Sequence, residues 1–192
     1  GSGFVGRAVL NRLNERNTMA QAIRAPRLTG ALGAPSAMVQ DDSDVKSLAS
    51  DLAGYHVVIN CAGNPDASSR DRDGLFAANA LLPGVIAAAA RLAQVHRFIH
   101  VSSAVVQGSA LTLTASWETA GSSDYAQSKI AGELAVRDAP GPTSSVIYRP
   151  PSVHSSERRV TRSIRRLARS PFASVVGSGE AVGIRWRPTH VV

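Results

Sequence analysis

Apolar runs alternate with helical patterns along the whole chain. Val9, Leu10 and Leu13 share one helical face, which predicts a helix over 6–16. Residues 19–24 read as a short strand and 37–39 as another, separated by a Pro/Gly-rich loop over 25–35. Asp41, Asp42 and Asp44 open a helix over 41–52, where carboxylates suit the positive end of the helix dipole. HVVIN at 56–60 is a buried-type strand that ends at Cys61, Ala62 and Gly63. A long helix is expected over 75–93, kinked at Pro83, because proline lacks the N–H that an inner helical turn needs. RFIHVS at 97–102 is another strand, 122–137 a helix, 145–148 a strand, 157–170 a basic helix and 172–176 a last short strand.

Strands made mostly of apolar residues, each followed by a helix, imply an α/β fold: a doubly wound parallel sheet covered on both faces. Such sheets bind ligands at the carboxyl ends of their strands. The glycines of 1–6, then Arg24, Asp41, the Cys61–Ala62–Gly63 turn and the Ser102–Ser103 pair all fall at those ends. A doubly wound sheet also needs a strand ahead of Gly1, and RPTHVV at 187–192 reads as an interrupted strand. The expectation is therefore a piece of a longer protein with the first strand missing.

Composition narrows the partners. The chain has 192 residues, enough for one sizeable core, and 44% of them are hydrophobic. The most apolar run, 81–90, is shorter than the ~20 residues a membrane span needs, and no signal segment opens the chain, so no membrane partner is expected. The single cysteine, Cys61, excludes an internal disulfide and suits a reducing cytoplasm. A formal charge of +7 favours anionic partners, among them phosphate-bearing small molecules.

The chemistry begins at GSGFVG, residues 1–6, which lead straight into a helix. Gly3 would let the backbone approach a pyrophosphate, and Gly6 would let the helix pack closely on the sheet. The free N–H groups of the helix start, Phe4 and Val5 included, suit phosphates. About 20 residues on, dinucleotide-binding folds place an acid for the ribose hydroxyls or an arginine for a 2′-phosphate. Here Arg24 holds that place with Arg27 nearby, which favours NADP over NAD. Tyr125 and Lys129, spaced i and i+4 on a predicted helix, share a face. A free tyrosine titrates near 10, too high for efficient acid–base work at neutral pH, and a neighbouring ammonium favours the phenolate. Ser103 at a strand end would hydrogen-bond the reacting oxygen.

These motifs resemble, in order and over nearly the whole chain, the extended short-chain dehydrogenase/reductases, the NAD-dependent epimerase/dehydratase family. The matching pieces are GSGFVG at 1–6, VINCAG at 58–63, RFIHVSSAVVQG at 97–108, YAQSK at 125–129, IYRPPSV at 147–153 and GIRWRPTHVV at 183–192. The resemblance implies a Rossmann-type NAD(P)-binding region with the catalytic residues over 1–150 and the start of a substrate-binding region over 151–192. It makes Tyr125 the acid–base. Lys129 would tune it and hold the nicotinamide ribose, Ser103 would hold the substrate oxygen, and Asn79 would support the site. Asp41 and Asp42 would lie near the adenine, and Cys61, Ala62, Gly63, Val101 and Ser102 along the cofactor. Pro150 and Val153 would border the nicotinamide, and Arg185 or Arg187 would face substrate phosphates. The family's first motif glycine would fall just ahead of residue 1. Ser103-Ala104-Val105 lacks the carboxylates of the sugar dehydratases, which disfavours dehydration. Gln107, where sugar epimerases often carry tyrosine, leaves epimerase and carbonyl or hydroxysteroid-type reductase both open. The competing class is a non-catalytic dinucleotide-binding sensor or scaffold subunit, which would have little use for the Tyr–Lys pair. The expected substrate is nucleotide-linked, and a homodimer would form through the helices at 75–93 and 122–137.

Six arginines crowd 158–169. Without an aromatic platform or a nucleic-acid motif they read as a solvated or subunit-facing helix, so no nucleic acid is expected. His100, inside an apolar strand, reads as a core residue, and no Cys/His/carboxylate spacing suits a metal.

Overall fold

The computed structural model describes residues 3–29, 43–139, 141–155, 159–170 and 189–190, with backbone alone at 159–160 and 189–190. It divides into two compact units, Gly1–Arg149 and Pro150–Val192.

The first unit is built on three parallel strands, β1 (Val57–Asn60), β2 (Arg97–Val101) and β3 (Ser144–Tyr148), in that order. Asn60 lies opposite His100, and Val101 opposite Tyr148. Side chains alternate across a strand. Phe98 and His100 are therefore buried on one face of β2, and Ile99 and Val101 are half-buried on the other. Phe98 joins the helical core with Val85, Leu52 and Val136. Those residues come from α2 (Ser43–Leu52), α4 (Leu82–Leu92) and α5 (Asp124–Asp138).

The long helix begins earlier than its apolar pattern, because Asp71 caps it by accepting from the Gly74 N–H at 2.8 Å. It runs as α3 (Arg72–Phe76), a π-helical turn (Ala77–Leu81) and α4. The kink expected at Pro83 is realised as this wider turn just before it: the Leu82 N–H bonds Ala77 O, five residues back. Proline at 83 cannot donate to the Asn79 carbonyl, so the ordinary α ladder is interrupted there. By length and composition the helix over Arg72–Leu92 is apolar enough to cross a membrane. Reading only 81–90 missed this. Most of that stretch is buried inside the fold, which marks it as a core helix.

One strand expectation changes. Residues 19–24 form no strand: 18–29 is irregular, with Ile23, Ala25 and Leu28 against the core and Met19 fully exposed. A strand needs a ladder partner for its backbone, and this segment has none among the described residues. Residues 37–39 and 172–176 lie outside the described residues. The face of the sheet carrying Val57, Val146 and Tyr148 is 42–48% exposed at those side chains, so the described residues cover one face more fully than the other. α1 (Phe4–Glu15) follows Gly3 as expected, with Gly6 its buried residue. In the second unit β4 (Val153–His154) pairs in parallel with β5 (Thr189–His190), beside the basic α6 (Arg159–Ala168) in sequence.

Candidate active site

The site lies where the turn after β1 meets the π-helical turn and α5. Ser123 caps α5 by accepting from the Ala126 N–H at 3.1 Å. That cap fixes the helix phase and puts Tyr125, Lys129 and Glu133 on successive turns of one face. The Lys129 ammonium is 6.0 Å from the centre of the Tyr125 ring. Tyr125 is half-buried, while Lys129 is only 6% exposed. Burial pulls the Lys129 ammonium down to about 8, against the opposing pull of Glu133. Glu133, itself buried, is also held by Arg149 through bonds of 2.6 and 2.9 Å, so its charge is shared between two cations.

Gly63 closes the arrangement. Its φ of +150° belongs to glycine, and a Cβ there would lie 2.7 Å from Asn79 Oδ1 and 3.2 Å from Lys129 Nζ. The turn after β1 thus passes directly over the lysine. Asn79, fully buried, grips the next residue from both sides: its Oδ1 accepts from the Asn64 N–H at 2.9 Å and its Nδ2 donates to Asn64 O at 3.1 Å. The same Nδ2 donates to Ser128 Oγ at 3.1 Å, and Ser128 donates in turn to Tyr125 O at 2.8 Å. Asn79 therefore ties the loop to α5.

Ser103 caps the short 3₁₀ turn Ala104–Gln107, accepting a long 3.4 Å bond from the Val105 N–H. That turn packs against α5. It is held there because the Gly121 N–H donates to Val106 O at 3.0 Å and Gln127 Nε2 donates to Gly121 O. Ser102 is buried, its N–H on Tyr148 O at 2.8 Å. Cys61 and Ala62 are half-buried, and burial pushes the Cys61 thiol up, which suits packing rather than redox chemistry.

The remaining expected residues fall elsewhere. Gly3 is exposed at the N-cap of α1 with open space around it and gives no side-chain cap to the first turn, where Phe4 and Val5 are half-buried. Arg24 and Arg27 are exposed. Pro150 and Val153 belong to the second unit. Asp41, Asp42, Arg185 and Arg187 lie outside the described residues. Among the described residues no group of His, Cys and carboxylates could hold a metal. Asn60, Asn64, Ser128 and Glu133 take part in the site without having been singled out from sequence. The one signal for them was position, at a strand end or on the face of Lys129.

A helix that starts at an open glycine, and a lysine under a loop glycine, are features a dinucleotide's phosphates and ribose fit. The comparisons agree on the class. The chain belongs to the NAD dependent epimerase/dehydratase family, whose sequence model matches residues 1–182. No curated protein sequence matches it. Among solved structures, a dTDP-4-dehydrorhamnose reductase from Clostridium acetobutylicum superposes with a TM-score of 0.66 at 23% identity, over 87% of this chain and 56% of that one. A short-chain dehydrogenase/reductase superfamily protein from Agrobacterium tumefaciens with bound NAD gives 0.62 at 25% identity, over 80% and 48%. A UDP-glucuronic acid 4-epimerase from Bacillus cereus in complex with NAD gives 0.53 at 22% identity, over 65% and 42%. The chain thus spans about half the length of these structures.

Proposed function

We propose that the chain carries the cofactor-binding and acid–base part of an NAD(P)-dependent oxidoreductase or epimerase. Its substrate is a carbinol or ketone carbon of a nucleotide-linked sugar. The observation that carries this reading is the buried Lys129 ammonium, set between the Tyr125 ring and the Gly63 backbone. A bound nicotinamide dinucleotide would supply the hydride acceptor or donor. Tyr125 Oη takes the hydroxyl proton as the carbinol becomes a ketone, and returns it in the reverse direction. Lys129 favours the phenolate that this requires. Ser103 donates a hydrogen bond from its hydroxyl to the substrate oxygen and keeps its proton. Asn79 keeps the loop and α5 in register. Arg24, about 20 residues past the glycine-rich start and exposed, supports NADP over NAD. The substrate class rests on the nucleotide-sugar enzymes among the structural relatives.

Tyr125→Phe in the intact protein tests the reading. Turnover of UDP- and dTDP-hexoses with NAD(P) should fall about 10²–10⁴-fold, with dinucleotide binding retained. Unchanged turnover would remove Tyr125 from the mechanism.

A further inference from the structure

The mechanism above leaves one buried polar pair without a part. His100 is fully buried and Asn60 is 3% exposed, opposite each other on β2 and β1. Asn60 Oδ1 accepts from the Ala62 N–H at 2.9 Å. The other end of the amide, Nδ2, therefore faces His100 Nδ1, at 3.1 Å. An amide nitrogen only donates, so Nδ1 must accept. That places the proton of the neutral ring on Nε2. His100 Nε2 has no hydrogen-bond partner among the described residues. A buried N–H left so is destabilising, a cost a phenylalanine at this position would not carry. What the histidine gives in return is the acceptor at Nδ1.

The bonds lead from that acceptor to the site. His100 holds Asn60, and Asn60 holds the Ala62 amide. Gly63 follows, over Lys129 Nζ, and Asn64 is held by Asn79. The loop over 61–64 is thus fixed at one end by the β1–β2 pair and at the other by the π-helical turn. We propose that His100, as the neutral Nε2–H tautomer, is a positioning residue that acts through Asn60 and Ala62 to set Gly63 over Lys129. The loop is then shaped for the dinucleotide before it binds. The link to the dinucleotide rests on the proposed function, while the tautomer and the loop do not.

Two variants separate this role from packing. His100→Asn keeps an acceptor near the place of Nδ1 but leaves a cavity. His100→Phe fills the space and removes the acceptor. The first measurement needs no ligand. Nitrogen-15 NMR of the histidine rings should show His100 neutral with its proton on Nε2, and amide exchange at Ala62 should stay slow in His100→Asn and accelerate in His100→Phe. The second is titration with NADP and NAD. His100→Asn should bind within about twofold of wild type and His100→Phe about tenfold more weakly (~1.4 kcal/mol). A packing role predicts the reverse order, because it follows fold stability. An Nδ1–H tautomer, or equal Ala62 exchange in the two variants, overturns the proposal. Failure of the wild type to bind either dinucleotide, with the tautomer and exchange as expected, sinks the proposed function and leaves the loop assignment standing.

Discussion

Two buried basic groups set how the site responds to pH. Burial holds Lys129 at about 8, so the folded chain gives up that proton well before an unfolded lysine does near 10.5. Between these values the unfolded chain binds more protons, and stability rises with pH; below about 8 the cost of the buried charge is present in full. His100 is held at about 3 by burial and then by the Lys129 ammonium. Between about 3 and 6.5 the unfolded chain again binds more protons, so stability is lost as pH falls through that range. The groups facing the ring are Asn60 from β1 and Lys129 from α5. Urea unfolding at pH 4, 7 and 9.5 should therefore show both slopes in the wild type. Lys129→Met should lose the alkaline rise, and His100→Asn most of the acid loss. Unchanged slopes in the variants would mean that other groups carry them. Arg24 makes a separate claim at this scale: Arg24→Asp should move the ratio of NADP to NAD affinity toward NAD, and a ratio that does not move removes Arg24 as the selector. The meeting of Tyr125 and Lys129 was legible in the sequence because it follows from local helical spacing. Asn60 and His100 were not, because their meeting depends on the register of two strands 40 residues apart, which local periodicity does not encode.

The elements show why the site holds its shape. Pro83 denies the Asn79 carbonyl its usual helical donor, and the π-helical turn takes up the difference. The carbonyl side of that turn is where α5 comes nearest: a Cβ on Gly132 would overlap Asn79 O and sit 3.2 Å from its carbonyl carbon. Gly84 makes a second close approach: a Cβ on it would lie 3.2 Å from Ala135 Cβ. The helix carrying Tyr125 and Lys129 is therefore seated on the turn carrying Asn79 by glycines rather than by large side chains. Gly132→Ala must move one helix off the other, and should cost roughly 3 kcal/mol. A fall in the urea midpoint without a change in slope would show it, and a midpoint within error of wild type would mean the helices can shift freely. Removing Arg149 from the buried Glu133–Arg149 pair, as in Arg149→Met, takes away the only hydrogen-bonded cation that the described residues show on the Glu133 carboxylate and should cost about 3–5 kcal/mol by the same assay. A loss well under 1 kcal/mol would mean that Lys129 already neutralises Glu133. Helix existence and order were readable from the apolar pattern. The π-helical turn was readable only as a kink, since proline announces a broken ladder but not how the chain repairs it.

At the scale of the whole molecule, the parallel sheet and its helices followed from strand–helix alternation, while the irregular 18–29 segment did not, because a strand exists only where another strand accepts it. The charge follows from composition alone. With +7 formal charges the chain attracts anions from a distance, and that field is screened over about 8–10 Å at ordinary salt. A dinucleotide with an extra phosphate gains more from such a field than one without. If the exposed Arg24 adds a local contact to this general attraction, NADP affinity should fall more steeply than NAD affinity as salt is raised. Titrations at low and high ionic strength should give a larger loss for NADP, several-fold over that range, and Arg24→Asp should make the two losses alike. Equal losses in the wild type would mean that the net charge attracts both cofactors without distinguishing them. Selection would then have to come from uncharged contacts at the ribose.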